Sequence, residues 1–202
     1  MELTPQHQEQ PITNITGEKV ALGPIRLDLL PLYLKWINDF EVTRTTVGFQ
    51  PMTWEAEEAW YQQRSKGGGE VMFTIYERET MRPIGNAELG RIDHFHRTAD
   101  FDIAIGEKDC WGKGYGTEAA ALMLDYGFTA LGLHNIHLSV WSFNERAIRA
   151  YRRAGFREIG RRREAHRLGG QAYDVVYMDC LATEFQSPVL RRRLLPADST
   201  PE

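Results

Sequence analysis

The chain has 202 residues, of which 42% are hydrophobic and 26% charged. That balance excludes wholesale disorder and collagen-like repetition and fits one soluble globular domain with a substantial core. The formal net charge of −4 argues against nucleic acid as a main partner, because sequence-independent binding to a polyanion needs a basic face.

No apolar run approaches the roughly 18 residues of a membrane helix. The polar start holds no signal-peptide core, and Cys110 and Cys180 make neither a CxxC pair nor a disulfide framework. A cytoplasmic protein with no membrane partner is expected. Residues 1–17 and 186–202, the latter with three prolines, read as a flexible N-terminal arm and C-terminal tail around a domain at 18–185.

Within the domain, residues 20–22 read as a short strand. Leu29, Leu32, Tyr33, Trp36 and Ile37 then recur at helical spacing, with Asp28 placed to cap the start. Thr53 opens a second helix that runs to Arg64. Its early acids suit the helix dipole, and Gly67, Gly68 and Gly69 end it. Segments 71–77, 83–93 and 99–106 read as strands of an antiparallel meander. A long helix over 116–131 carries Ala120, Met123, Leu124, Gly127, Phe128 and Leu131 on one face. A buried strand at 134–140 and a helix at 144–154, closed by Gly155, come next. Segments 157–167 and 172–182 form a hairpin turned by Gly169 and Gly170. The basic runs at 161–163 and 191–193 read as a solvated strand face and a charged tail. The architecture is mixed α and β, without internal repeats.

The segment that carries chemistry lies between the third meander strand and the long helix. Gly112, Gly114 and Gly116 let successive N–H groups point one way, an anion cradle at a helix N-terminus, and Lys113 adds a cation at its rim. The P-loop template fails at Gly114, where a Ser or Thr would be needed to hold magnesium. Gly114, Gly116 and Ala119 match the relaxed dinucleotide fingerprint GxGxx[GA]. The strand that follows, however, lacks the acidic residue that motif needs, and a meander precedes the loop.

A third template fits. The Gly114-x-Gly116 spacing between strand and helix resembles the acyl-CoA pyrophosphate loop of the GNAT acyltransferase superfamily. Asn144-Glu-Arg-Ala147-Ile-Arg-Ala-Tyr151-Arg-Arg-Ala-Gly155-Phe156 resembles the same family's second signature, N-x-x-A-x-x-x-Y-x-x-x-GF. A helix and a strand separate the two, and the likeness covers residues 20–185. Trp111 stands where many members begin the loop with Gln or Arg, a form familiar in the branch acting on ribosomal-protein N-termini. Ile92-Asp-His-Phe-His-Arg-Thr-Ala-Asp-Phe101, Leu124-Asp-Tyr-Gly-Phe-Thr-Ala-Leu-Gly-Leu133 and Arg167-Leu-Gly-Gly-Gln-Ala-Tyr173 resemble the spermidine N-acetyltransferases.

The resemblance implies a three-layer α+β fold. Its sheet is mixed and mostly antiparallel, with a splayed parallel strand pair and helices on both faces. It implies an N-acetyltransferase with acetyl-CoA as co-substrate, held by Ile103, Ala104, Ile105, Trp111, Gly112, Lys113, Gly114, Tyr115, Gly116, Thr117, Asn144, Ala147 and Tyr151. Tyr151, two helical turns from Asn144 and on the same face, becomes the general acid that returns a proton to the thiolate. Asn144 also reads as a helix cap.

By the same resemblance Glu88, mid-strand at a position matching a glutamate of the polyamine enzymes and on the same face as Asn86, becomes the proton acceptor, with Asp102 as runner-up. Either residue also reads as an exposed sheet position. Asp39, Glu41, Glu55, Glu57 and Glu58 read either as an acidic wall for a cationic amine or as solvated helix faces. His94 and His96 lack a third ligand and read as a surface turn, so no metal is expected. Neither cysteine suits an acyl carrier, which leaves direct attack in a ternary complex. The acceptor is a polyamine, another small-molecule amine or a protein N-terminus. The competing reading is an acyl-CoA-binding sensor without turnover. Related enzymes form dimers or larger rings, so a homo-oligomer stays open as a partner.

Overall fold

The meander segments alternate large apolar side chains with polar ones, and they fold as strands over nearly the expected spans. The computed structural model describes residues 10–46 and 50–194. In it β3 (Val71–Glu77), β4 (Pro83–Asp93) and β5 (Thr98–Ile105) pair antiparallel in chain order. Two strands precede them, β1 (Ile15–Thr16) and β2 (Val20–Pro24), and three follow: β6 (Asn135–Trp141), β7 (Arg157–Leu168) and β8 (Gln171–Leu181). Together they form one eight-stranded sheet in the order β1-β2-β3-β4-β5-β6-β8-β7. Gly169 and Gly170, at φ 58° and 82°, turn the last hairpin as a tight two-residue loop requires.

Among the described residues, β5 and β6 are the one parallel neighbour pair. The crossover between them is made by α4 (Tyr115–Asp125), because a parallel connection needs an intervening element to bring the chain back. Strand alternation then separates the two faces. Phe73 and Ile75 on β3 join the main core, with Ala119, Leu122, Met123 and Leu124 of α4 and Ile148 of α5 (Glu145–Ala154). Thr74, between them, points the other way, where its Oγ1 lies 2.5 Å from the Tyr33 hydroxyl. Tyr33 belongs to α1 (Leu30–Ile37), which packs Leu30, Tyr33 and Trp36 with Trp60 and Tyr61 of α3 (Trp54–Arg64). The result is three layers with helices on both sheet faces.

Several local expectations need correction. Asp28 does not cap α1. Its carboxylate accepts from the Arg26 guanidinium at 2.7 Å, and Pro31 in the first turn starts the helix instead. Thr53 does cap α3, its hydroxyl accepting from the Ala56 N–H at 3.3 Å. The short α2 (Phe40–Thr43), capped by Asp39, is too brief to leave a periodic signal. The helix expected over 116–131 is α-helical to Asp125 and then widens, with the Leu131 N–H donating to the Tyr126 carbonyl five residues back. Gly127 sits in that wide turn, where a Cβ would fall 2.4 Å from Ile136 Cδ1.

The expected arm and tail are partly structured. Ile15 and Thr16 pair with Leu22 and Ala21. Leu190 of α6 (Leu190–Leu194) is buried. Two paired residues and a five-residue helix carry no readable periodicity. The remainder of both segments, residues 1–9 and 195–202, lies outside the described residues.

Candidate active site

Pairing between β5 and β6 covers only Thr98–Asn135, Ala99–Ile136 and Asp100–His137. Beyond that point the strands part, and a cleft of about 820 Å³ opens between and in front of them. The Gly106 N–H donates to the Ile84 carbonyl at 2.9 Å, which sets the parity of the β4–β5 ladder. Alternation turns the backbone groups of Ala104 toward β4 and those of Ile103 and Ile105 toward the gap. The Ile105 carbonyl accepts from Trp111 Nε1 at 2.8 Å. Ile103 therefore presents both N–H and C=O to the cleft, and Ala104, expected as an equal backbone partner, contributes wall surface instead.

The loop after β5 curls at two of its three glycines. Gly112 and Gly114 have φ of 78° and 89°, the left-handed region open to glycine at little cost. Gly116 is helical, and a Cβ there would make ordinary contact 3.6 Å from Ile105, so its conformational freedom is not used. No side chain caps α4 at Gly114, and its first-turn N–H groups face the cleft, which Gly114, Tyr115, Gly116 and Thr117 line. Lys113 and Lys19 bring cations to the same rim, the Lys19 ammonium 3.4 Å from the Lys113 carbonyl. An open helix N-terminus with two lysines fits a diphosphate. Unpaired strand backbone leading to it fits an amide-bearing arm. Together they fit coenzyme A, with Trp111 and Lys113 at the loop and Ile103 along the arm. Trp111 lies under the Arg146 guanidinium, 4.2 Å from its ring centroid.

On the other side of the gap, Asn144 caps α5. Its Oδ1 accepts from the Ala147 N–H at 3.2 Å, leaving the amide N–H₂ to the cleft. Tyr151 follows two turns later, its ring edge-on to Phe101 and Phe156 at 6.1 and 5.9 Å. Burial pushes the Tyr151 phenol well above its ordinary pKa, and the Asp102 charge adds to the shift. The hydroxyl thus keeps its proton across the physiological range.

Glu88 stands opposite Asp102 in the β4–β5 register. Ala87 and Leu89 are buried in the core, while Asn86 and Glu88 line the cleft, as alternation requires. Arg64 forms an ion pair with Glu88 and another with Glu70. Burial nonetheless outweighs the Arg64 contact and raises the Glu88 pKa. Asp102 reaches cleft solvent but has protein on its other sides, and that desolvation raises its pKa too.

Every residue named from sequence for catalysis or co-substrate binding lines this one cleft. The proposed acidic wall is largely absent. Asp39 and Glu41 pair with Lys108, Glu55 and Glu58 are exposed, and of the five acids Glu57 alone lines the cleft. His94 and His96 lie exposed in the β4–β5 turn. Sequence reasoning missed Arg64 and Arg146. The i, i+3, i+7 spacing of Glu57, Trp60 and Arg64 is the signal that marks a cleft-facing stripe on α3.

A family model described as an acetyltransferase (GNAT) domain matches residues 19–157. The chain is 38% identical over 115 residues to spermidine N(1)-acetyltransferase of Escherichia coli K12, an alignment covering 57% of this chain and 59% of that protein's length. It is 29% identical to human alpha/beta-tubulin-N-acetyltransferase 9, over 73% of this chain and 76% of the relative. Among solved structures, spermidine N-acetyltransferase from Vibrio cholerae in complex with CoA and spermine superposes with a TM-score of 0.76 at 27% identity, covering 82% of this chain and 97% of that one. The matched family model spans more than half of the chain, including the β5–β6 pair, the glycine turn and α5, and the chain belongs to the GNAT acetyltransferase family.

Proposed function

We propose that this protein is an N-acetyltransferase that moves the acetyl group of acetyl-CoA to a primary amine of a cationic acceptor, a polyamine above all, by direct attack in a ternary complex. The observation that carries this reading is the unpaired backbone of the β5–β6 gap, continuous with the uncapped N-terminus of α4.

Acetyl-CoA supplies an activated thioester carbonyl. Around it, the Ile103 N–H offers a hydrogen bond to the carbonyl oxygen. Glu88 receives a proton at its carboxylate from the incoming ammonium, with Asp102 beside it, because only the neutral amine has a lone pair. Tyr151 holds a proton at its hydroxyl and delivers it to the departing sulfur. Direct transfer is supported by the cysteines: burial raises both thiols, Cys180 to about 12, so neither is a ready thiolate. The spermidine acetyltransferases among the relatives support the acceptor class. No helix among the described residues is long and apolar enough to cross a membrane.

The test is release of free thiol from acetyl-CoA across a panel of amines. Release that depends on spermidine or spermine is the expected result. Calorimetric binding of coenzyme A with no release for any amine would instead establish the sensor reading.

A further inference from the structure

Glu57 stands apart from the other acids of the N-terminal helices. It is 6% exposed and lines the cleft. Among the described residues no hydrogen bond or ion pair reaches its carboxylate. Its oxygens still meet cleft water, and a carboxylate stripped of most of its hydration is best compensated by a cation. Burial alone acts on its pKa and raises it.

On the same face of α3, Trp60 follows one turn on and Arg64 two turns on, and all three line the cleft. Arg64 is committed to Glu88 and Glu70, so it does not neutralise Glu57. Trp60 is held edge-on to Tyr33, ring centroids 6.4 Å apart, and offers an aromatic surface of the kind that attracts ammonium groups. Seven helical residues separate the Glu57 and Arg64 backbones by ~10 Å along the axis.

We propose that Glu57, beside Trp60, anchors a second cationic group of the acceptor, its backbone about two helical turns (~10 Å) along α3 from that of Arg64, whose partner Glu88 receives the reacting amine. The cleft then selects amines by charge spacing and prefers di- and polycations to monoamines. This inference rests on the amine-acetylating function above and adds the residue that reads the acceptor's far end.

The test compares wild type with Glu57→Gln, an isosteric change, using spermidine and butylamine as acceptors. Spermidine binding to both proteins is measured in parallel by calorimetry. The expected result is a KM for spermidine raised about tenfold or more in Glu57→Gln, the loss of one charge-assisted contact. The change for butylamine should be much smaller, Glu57→Asp should restore part of the loss, and the melting temperature should not fall. An unchanged spermidine KM, or equal losses for both amines, overturns the proposal. Should no amine release thiol, the enzymatic reading fails and calorimetry alone decides the subsite. Spermidine heat that Glu57→Gln abolishes upholds it, and equal heats, or none in either protein, overturn it.

Discussion

In the proposed mechanism Tyr151 and Glu88 have opposite tasks, and burial raises the pKa of both. The phenol, raised by desolvation, stays protonated, as the proposed acid must. Tyr151→Phe keeps the ring packing on Phe101 and Phe156 but removes the transferable proton, so kcat should fall about 10²-fold or more while coenzyme A affinity is unchanged; steady-state rates and calorimetry check both halves. Glu88 accepts a proton only when ionised, and its pKa is raised by burial against the pull of Arg64. The rate should therefore decline as pH falls through that raised pKa. Glu88→Gln should be slow throughout and lack this acid limb in a pH–rate profile. Alternation along β4 was enough to put Glu88 on the same face as Asn86. The Arg64 contact, 24 residues away in sequence, follows from how α3 lies across the sheet, which no local pattern encodes.

The elements legible in sequence were those with their own periodicity or punctuation: β3, β4, the last hairpin with its two glycines, and α5 between Asn144 and Gly155. Most of the candidate site was legible as well, because it sits on a loop and a helix whose residue spacing is itself the signature. What escaped were features set by long-range contact, such as the widened turn at Gly127, the Trp111 bond to Ile105 and the brief α2. Docking of α1 is a further example. Trp36 is buried, its Nε1 donates to Glu107 at 2.8 Å, and its ring lies against Gly106, where a Cβ would fall 2.2 Å from the indole. Gly106 needs no unusual φ; what it supplies is space. Gly106→Ala should push α1 outward and cost about 1–3 kcal/mol, the range for overpacking a well-filled site. The urea midpoint reads that loss. Because α1 and α3 wall the proposed acceptor side of the cleft, KM for the amine should rise more than KM for acetyl-CoA.

At the scale of the whole chain, two buried or half-buried carboxylates tie distant segments to α4. Glu118 accepts from the N–H groups of Glu18, Lys19 and Val20 at 2.7, 2.7 and 2.8 Å, pinning the entry to β2 beside the glycine turn. Asp125 is 0% exposed and accepts from Thr129 Oγ1 and from the N–H groups of Val189 and Leu190 at 2.9, 2.9 and 2.8 Å. Segment 186–194 is thus held by a buried charge as well as by the Leu190 side chain. Removing residues 186–202 strips two of the three donors and leaves the carboxylate underpaired inside the protein, the costly arrangement for a buried ion. Asp125→Ala alone strands two backbone N–H groups at the start of a short helix, which solvent can satisfy once that helix frays. The two changes should therefore be strongly non-additive: each destabilises the chain, but Asp125→Ala within the shortened chain should recover stability relative to truncation alone. Urea unfolding of the four proteins in the cycle gives the coupling directly. Additive losses would mean that the terminal helix is held by Leu190 packing and that Asp125 plays no part in seating it.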